Sequence, residues 1–401
     1  MSPTPVQTQW HLGEIDYPLF QEFCRTNETK GVLAELLYAR QLNAPDETRS
    51  FLNPMATPLA DPFGLTDMER AVQRIALARD KGQHIRIIGD YDVDGISATA
   101  IMVRGLKRYG VESVSFTMPD RLEDGYGLNN SLLEQALKDA VELVITVDNG
   151  IMAHESSQFA KENNLDLIIT DHHSLGESLP EAHAILNPKR DHADAPLANI
   201  CGAAVAFQLC TALNQTTEDL ALVGVATIAD VMPLLAENRV LTYRGLQELQ
   251  NGQQPGIQAL LRKAKIHPRQ VRAEDIAFQI APRINASGRL GSGSSALELL
   301  LTDDPEEAYY LASELNTINE NRKAVERDIT QSALEQLENY NPDSKHTIVL
   351  SSESWHPGVI GIVASKLQHQ FQKPVTMIAI DENGIGRSSA RSNNNFSLNL
   401  F

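Results

Sequence analysis

Aspartates and histidines occur at three points of the sequence where a short apolar run ends. The first group is Gly89-Asp-Tyr-Asp-Val-Asp-Gly95, the second is Asp148, and the third is Asp171-His172-His173. Oxygen ligands with one or two imidazoles suit Mn²⁺ or Mg²⁺, whereas a structural zinc site would prefer thiolates. Two such ions about 3.5–4 Å apart promote in-line attack of water on phosphorus. These residues therefore predict metal-dependent hydrolysis of a phosphoester or phosphoanhydride.

The first group is the most informative because it carries Asp90, Asp92 and Asp94. Alternating aspartates in an extended turn would point their carboxylates the same way, and their mutual repulsion requires a cation. An EF-hand loop would be longer and end in glutamate, and the glycine spacing does not match a dinucleotide-binding fingerprint. An acidic helix N-terminus explains one or two of these acids but hardly three.

Each remaining candidate has an ordinary structural explanation when it is considered alone. Asp148 would be a helix cap, adjacent histidines such as His172 and His173 occur in loops by chance, and Asp230 would be a cap at a helix C-terminus. Their combination favours a metal site, because consecutive predicted strands carry the same feature at the same end. In an open parallel sheet, ligands bind beyond the carboxyl ends of the strands.

The elements that must position these side chains predict an α/β fold. β-Branched apolar runs alternate with helical segments, which is typical of a parallel sheet covered on both faces. The predicted strands are 85–88, 113–118, 143–147, 167–170 and 184–186, and the predicted helices between them are 96–109, 131–140 and 153–163. Residues 1–80 are predicted to be mostly helical. Residues 304–340 predict a long connector helix, and a second α/β unit begins with a strand over 347–351.

Composition narrows the class of protein. The 401 residues are 42% hydrophobic and 21% charged, with three cysteines, which predicts an ordinary globular protein of a reducing cytoplasm and no membrane span. A net charge of −18 argues against a protein that coats nucleic acid generically. One segment, Arg262–Arg289, carries seven basic and two acidic residues, a local net of +5. It is either a solvated helix face or a local track for nucleic acid.

Longer motifs resemble a known family. The three acidic and histidine groups resemble the DHH phosphoesterase superfamily, and several further segments resemble its RecJ family of single-stranded-DNA-specific exonucleases. Those segments are Arg121–Leu128, Ile228–Pro233, Pro282–Arg289 and Trp355–Gly361. The resemblance covers nearly the whole chain from about Leu33. It implies 5′→3′ hydrolysis of single-stranded DNA to 5′-mononucleotides by water activated at two divalent cations, Mn²⁺ or Mg²⁺, in DNA repair and recombination.

The resemblance also implies roles for individual residues. The implied metal ligands are Asp92, Asp94, Asp148, His172 and Asp230, with Asp148 bridging the ions and Asp90 as an additional or supporting ligand. These residues and His173, which would face the scissile phosphate, form the implied catalytic set. The implied DNA-binding residues are Arg121, Arg283, Asn285, Arg289, His356, Arg391 and Ser392. Among them, Arg283 and Asn285 would position the motif that contains Arg289.

The implied architecture is a parallel-sheet DHH domain with flanking helices, joined by a long helix to a smaller and incomplete α/β DHHA1 domain. The expected parts are an N-terminal helical region packing on the DHH domain (1–80), the DHH domain itself (81–237), a helical region with the connector helix (238–340) and the partial DHHA1 domain (341–401). The chain ends before the rest of that domain and before an OB-fold, a module that binds single strands. Weaker DNA binding, poorer processivity or loss of activity is therefore expected.

Two departures from the superfamily pattern stand out. Many members have a histidine four residues before the second aspartate of the first motif, and this chain has Ile88 there, so Asp90 is expected to compensate. The expected phosphate-binding turn, Arg387–Ser392, has less glycine than the family usually has.

The implied partners are single-stranded DNA, a single-stranded-DNA-binding protein and a RecQ-type helicase, and the protein is expected to be a cytoplasmic monomer. Two alternatives remain open. One is a DHH-family phosphodiesterase or pyrophosphatase acting on oligonucleotides or cyclic dinucleotides. The other is a catalytically weak, truncated DNA-binding relative, although the retained acidic and histidine ligands favour an enzyme.

Overall fold

The computed structural model describes residues 15–119, 127–252, 254–291, 293–338 and 346–392. Its larger sheet has five parallel strands in the order β2-β1-β3-β4-β5. Their bounds are β1 (Ile85–Ile88), β2 (Val114–Thr117), β3 (Leu143–Val147), β4 (Asp166–Thr170) and β5 (Ala184–Leu186). The predicted parallel α/β fold is confirmed, and the bounds of β1, β3 and β5 are those that the apolar runs predict.

Helices account for most of the remaining described chain. Within the described residues they are α1 (Tyr17–Thr26), α2 (Gly31–Ala39), α3 (Pro45–Leu52), α4 (Met68–Asp80), α5 (Val93–Arg108), α6 (Asn130–Lys138), α7 (His154–Glu162), α8 (Gly202–Asn214), α9 (Leu220–Ala229), α10 (Ala236–Gln250), α11 (Pro255–Lys263), α12 (Ala273–Asp275), α13 (Ala281–Leu290), α14 (Ser294–Leu301), α15 (Pro305–Gln336) and α16 (Ile360–Phe371). One π-helical turn, Ile276–Ile280, joins α12 to α13. No helix of the described residues is long and apolar enough to cross a bilayer.

The larger sheet is covered on both faces, and its central strands β1 and β3 are buried at every position and mostly apolar. Ile87 and Ile145 point to one face and pack in a core with α4, α5 and α8. Ile88 and Val144 point to the other face and pack with α6 and α7. Side chains alternate between the faces of a strand, so a strand buried on both sides is mostly apolar. The exception in β1 is Arg86, which pairs with Asp139 at 3.0 Å.

The smaller sheet consists of three strands with its own core. β6 (Ile348–Ser352) pairs in parallel with β7 (Val375–Ile380), which pairs in antiparallel fashion with β8 (Gly386–Arg391). Helix α16 packs on this sheet. The long helix α15 joins the two cores, because Leu311 near its start belongs to the first and Ile329 near its end belongs to the second.

Two local predictions are corrected by the structure. The helix after β1 begins at Val93, not at residue 96, so Asp94 lies in the first helical turn and the aspartates do not alternate along an extended turn. The segment expected to be a phosphate-binding turn is largely strand β8, which pairs with β7 residue by residue from Gly386 to Arg391. Glycine is therefore not needed there, since a strand favours residues with side chains.

Candidate metal centre

The acidic groups meet at one edge of the larger sheet because β1, β3 and β4 are parallel neighbours. The loop after β1 brings Asp92 to the N-cap of α5, where its side chain accepts hydrogen bonds from Asp94 N at 2.9 Å and Gly95 N at 3.0 Å. Such caps satisfy amide groups that have no partner within the helix. A Cβ on Gly95 would lie 2.5 Å from Asp90 Cβ, so this tight turn requires glycine.

Asp94 is held by a second helix. Its carboxylate accepts hydrogen bonds from Gly202 N at 2.7 Å and Ala203 N at 2.8 Å, the first two residues of α8. The positive end of a helix dipole stabilises a carboxylate at this position. A Cβ on Gly202 would lie 2.6 Å from Asp148 Oδ1, so only glycine lets α8 begin directly against the acidic cluster.

His172 lies among three of the carboxylates. Its Nε2 atom is 3.1 Å from Asp148 Oδ1, 3.5 Å from Asp94 Oδ2 and 3.7 Å from Asp230 Oδ2. Ligand atoms lie within 4.8 Å of one another in three groups: Asp94 with His172 and Asp230, Asp90 with Asp92 and Asp148, and Asp148 with His172 and His173. Asp148 and His172 each belong to two of these groups, and of the two a carboxylate, with two oxygens, is the side chain able to contact two ions.

The electrostatics of the cluster favour a bound cation. Burial, together with the charges of neighbouring aspartates, raises the pKa of Asp148 well above its usual value and also raises the pKa of Asp92. The same causes raise the pKa of Asp230 to about 7. Among the described residues, no lysine or arginine pairs with Asp92 or Asp230. An oxygen-rich set with one imidazole therefore fits Mn²⁺ or Mg²⁺, which would relieve this repulsion.

The two adjacent histidines have different environments. Burial lowers the pKa of His172, which favours the neutral imidazole that metal binding requires. The Nδ1 atom of His173 lies 2.7 Å from Asp171 Oδ1, and this contact raises the pKa of His173. The His173 side chain is 47% exposed, so its ring reaches solvent beside the acidic cluster.

Asp171 has a role that the sequence interpretation did not assign. Its carboxylate is buried and accepts hydrogen bonds from Ile151 N at 2.9 Å and His172 N at 2.7 Å, besides its contact with His173. Burial alone would raise the pKa of Asp171, but the bond with the His173 ring and the bonds from the Ile151 and His173 amides lower it. Asp171 thus orients His173. The sequence signal for this role was the position of Asp171, two residues before that histidine.

The arginine motif connects the cluster to the smaller sheet through α13. Asn285 Oδ1 accepts a hydrogen bond from Val93 N at 3.1 Å, at the start of α5. A Cβ on Gly288 would lie 2.5 Å from Tyr91 O, so α13 rests directly on the loop of the cluster. The residue after Gly288 is Arg289, and its Nη1 atom donates a hydrogen bond to Gly358 O at 3.2 Å.

The other predicted DNA-binding residues have different placements. Arg283 is buried, and its guanidinium donates to Asn316 Oδ1 at 3.1 Å and Gln279 O at 2.6 Å, so it is used within the fold. His356 Nδ1 accepts a hydrogen bond from Gly358 N at 3.1 Å, beside Arg289. Arg391 is exposed at the end of β8, followed by Ser392. Arg121 lies outside the described residues.

The basic segment Arg262–Arg289 does not form one face. Lys263 Nζ lies 3.7 Å from the centre of the Tyr309 ring, and Arg283 is buried. Lys265, Arg269 and Arg272 line a separate open hollow of about 660 Å³. The segment thus combines cations used within the fold with cations exposed to solvent. Neither a single solvated helix face nor a single track for nucleic acid describes it.

Comparison with known proteins identifies the family. Residues 84–232 match the DHH family N-terminal domain, and residues 344–401 match the DHHA1 domain. The solved structure of exonuclease RecJ bound to manganese is 35% identical, with a TM-score of 0.73, and the match covers 86% of this chain and 85% of that chain. The chain belongs to the RecJ family.

Other RecJ proteins are similar over much of the chain. RecJ from Thermus thermophilus, solved in complex with Mn²⁺, is 32% identical with a TM-score of 0.81, over 96% of this chain and 55% of that chain. The curated RecJ exonucleases of Bacillus subtilis and Escherichia coli are each 36% identical, over 97% and 82% of this chain. The chain spans 50% and 60% of their lengths. The RecJ-family resemblance read from the motifs is confirmed.

Proposed function

We propose that this chain is a metal-dependent 5′→3′ exonuclease that hydrolyses single-stranded DNA to 5′-mononucleotides, with a role in DNA repair and recombination. The observation that carries the proposal is the cluster of carboxylates and His172 at one edge of a parallel sheet. Relatives 36–39% identical carry the name single-stranded-DNA-specific exonuclease, which supports the substrate.

The cluster would hold two divalent cations, Mn²⁺ or Mg²⁺. The proposed ligands are Asp90, Asp92, Asp94, Asp148, His172 and Asp230, with Asp148 shared. RecJ structures solved with Mn²⁺ and with Mg²⁺ support the choice of cations. When bound, the cations would supply Lewis acidity for water activation and for the charge on the leaving oxygen.

The proposed catalytic role of His173 follows from its bond to Asp171. Its Nδ1 contacts Asp171, its ring is 47% exposed beside the acidic cluster, and the raised pKa favours the protonated imidazole. A protonated Nε2 would donate a hydrogen bond to a non-bridging phosphate oxygen and offset the charge that develops there. Asp171 would prevent the ring from rotating away.

The DNA backbone would be held by residues around the end of α13. Arg289 and His356 both contact Gly358, so they flank one point of the smaller unit. The Arg391 guanidinium lies close to Gly361, three residues further along the chain, because a Cβ on Gly361 would be 3.3 Å from Arg391 Nη2. A guanidinium fork matches two phosphate oxygens. We include Ser392 and Arg121 in this proposed set, whereas Arg283 and Asn285 would act by positioning α13.

The proposed division into parts is 1–80, 81–237, 238–340 and 341–401, and the proposed physiological form is a cytoplasmic monomer. A single-stranded-DNA-binding protein and a RecQ-type helicase are the proposed partners. Light scattering after gel filtration tests the monomer, and binding of the purified proteins tests the partners. A stable dimer, or no binding at micromolar concentrations, would refute the corresponding proposal.

The activity is tested with 5′-labelled single-stranded DNA, the matching duplex and a dinucleotide, each incubated with Mn²⁺. We expect labelled mononucleotide to appear first from the single strand, little cleavage of the duplex, and no product from the Asp148→Asn variant. Much faster turnover of the dinucleotide would instead indicate a DHH phosphodiesterase of short substrates. DNA binding without hydrolysis would indicate the catalytically weak relative.

A further inference from the structure

Val231, the residue after Asp230, has a backbone conformation that valine rarely adopts. Its φ is +57°, and it is the only β-branched residue among the described non-glycine residues with positive φ. Val231 N donates to Ile228 O at 3.2 Å and Met232 N donates to Thr227 O at 3.1 Å. This is the Schellman ending of a helix, here α9, in which glycine usually occupies the position of Val231.

Burial does not explain the valine. Its side chain is 86% exposed, the highest value for a large apolar residue in the described chain. The neighbours on either side do pack inward, because Ile228 and Met232 contact the main core. A β-branched residue in the left-handed region is an outlier, and such strain persists where the surrounding structure enforces it, often at functional sites.

The location of Val231 indicates what its side chain serves. Asp230 Oδ2 is 3.7 Å from His172 Nε2, so the next residue stands at the rim of the acidic cluster. A phosphodiester held at that cluster has a deoxyribose and a base within one nucleotide of the rim. A phosphate gains nothing from an isopropyl group, and the flat face of a base offers a larger apolar contact than the deoxyribose, whose oxygens interrupt its C–H surface.

We infer that Val231 is a substrate-contacting residue that packs against the face of the nucleobase next to the scissile phosphate. This inference rests on the proposed function, since it names a contact at the same site. Val231 ends α9 in the left-handed conformation and is 86% exposed, whereas a residue inside a regular helix would point back along α9. The valine thus supplies an apolar surface that reads no base sequence, because every base has an apolar face.

The alternative is that Val231 only positions Asp230. The two roles differ in what a Val231→Gly variant would lose. Glycine relieves the left-handed backbone and removes the apolar group, so a contact role predicts intact metal binding and poorer use of DNA. A positioning role predicts weaker Mn²⁺ binding. A Val231→Asn variant retains tolerance of the left-handed region but replaces the isopropyl group with an amide.

The test measures melting temperature, Mn²⁺ affinity, and kcat and KM on single-stranded DNA for wild type, Val231→Gly and Val231→Asn. Each enzyme is also assayed on DNA with abasic residues at its two 5′-terminal positions. The matched control is Gln215→Gly, since Gln215 is also exposed with φ +56° at a helix end, roughly 20 Å from the start of α8 at the cluster.

We expect both Val231 variants to bind Mn²⁺ as wild type does and to melt no lower than wild type. On intact DNA their kcat/KM should fall by roughly five- to tenfold, the loss that removal of one apolar contact produces. On abasic DNA the variants and wild type should differ by less than about twofold, because the partner of Val231 is already missing. Gln215→Gly should match wild type on both substrates.

Three results would overturn the inference. Unchanged kcat/KM on intact DNA would show that Val231 contacts nothing in the substrate. An equal loss on intact and abasic DNA would exclude the base as its partner. Weaker Mn²⁺ binding would assign Val231 to the positioning of Asp230. If wild type itself leaves single-stranded DNA intact, the proposed function fails and the inference fails with it, and that outcome is recognised before any variant is compared.

Discussion

At the scale of single residues, the acidic cluster places function in conflict with stability. Asp148 is buried with Asp94 and Asp92 close enough to raise its pKa, and its backbone is left-handed with φ +62°. Aspartate and asparagine tolerate that conformation better than most residues. An aspartate at this position therefore destabilises the metal-free fold through its buried charge, although an aspartate tolerates the left-handed backbone.

The first prediction separates those two effects with Asp148→Asn. Hydrolysis should fall by more than about 100-fold, since even the outer partners of metal ligands cost 10–100-fold. In chelator at pH 8 the variant should unfold at a higher temperature than wild type, because a neutral amide removes the buried repulsion. Thermal unfolding with and without Mn²⁺ measures this. A metal-free variant that is less stable than wild type would contradict the assignment of charge strain.

The second prediction concerns pH and Asp230. A folded pKa of about 7, against 3.8 for an ordinary aspartate, means that the folded metal-free protein binds more protons than the unfolded chain between these values. The contribution of Asp230 to the free energy of unfolding must then fall as pH rises from about 4 to 7 and level off above. Mn²⁺ affinity should rise over the same range, because binding requires the carboxylate.

Comparison with Asp230→Asn isolates that contribution from other titrating groups. In chelator, the stability of wild type relative to the variant should decline between pH 5 and pH 7, as measured by urea unfolding at constant temperature. A difference that is flat or rises with pH would show that Asp230 is ionised in the metal-free fold.

At the scale of elements, α13 is the part that ties the arginine motif to the metal cluster. Its Asn285 binds the first amide of α5, and its Gly288 leaves no room for a side chain over Tyr91. The third prediction is that Gly288→Ala lowers both kcat and Mn²⁺ affinity, by about 10–100-fold, because a displaced loop misplaces the ligands it carries.

The direction of the stability change makes this variant diagnostic. In a helix interior, alanine is favoured over glycine by about 1 kcal/mol, so an uncrowded site would become more stable. Crowding against Tyr91 should instead lower the melting temperature. Gly64→Ala is the control, since its Cβ would meet only Leu197 Cδ1 at 3.8 Å. A stabilised and fully active Gly288→Ala protein would show that α13 does not control the loop.

The sequence predicted the elements whose pattern is local. β1 and β3 are short runs rich in isoleucine, leucine and valine, so their bounds follow directly from the sequence, and the shared end of the strands predicted which acids converge. The start of α5 was missed because Asp92 serves as an N-cap, a choice that depends on the amides around it. The burial of Arg283 also escaped prediction, because its acceptor Asn316 lies 33 residues away on another helix.

At the scale of the whole molecule, the proposed function would require a chain of net charge −18 to bind a polyanion. Bound cations would offset much of the negative charge at the metal centre, so DNA affinity would depend on few exposed arginines. The smaller unit contributes Arg391 at the end of β8 and contacts Arg289 through Gly358. Helix α15 spans both cores and keeps the two units together.

The fourth prediction follows from the small number of exposed arginines that would contact DNA. For single strands, the slope of log affinity against log salt is about −0.7 for each phosphate contact. Arg391→Ala, made in the inactive Asp148→Asn background at fixed Mn²⁺, should weaken binding of DNA of any sequence and reduce the slope by about 0.7. Fluorescence anisotropy of a labelled oligonucleotide between 50 and 200 mM salt, roughly the range over which such contacts respond, measures both.

The control for this measurement is Arg49→Ala, which removes another exposed arginine from α3, where it pairs with Asp46. That change alters the net charge of the chain by the same amount, so a general electrostatic effect would shift both variants alike. A contact with phosphate would change the slope only for Arg391. An equal response of the two variants would place the DNA elsewhere, and it would leave the cluster of Arg289 and His356 as the part of the smaller unit to examine by the same salt titration.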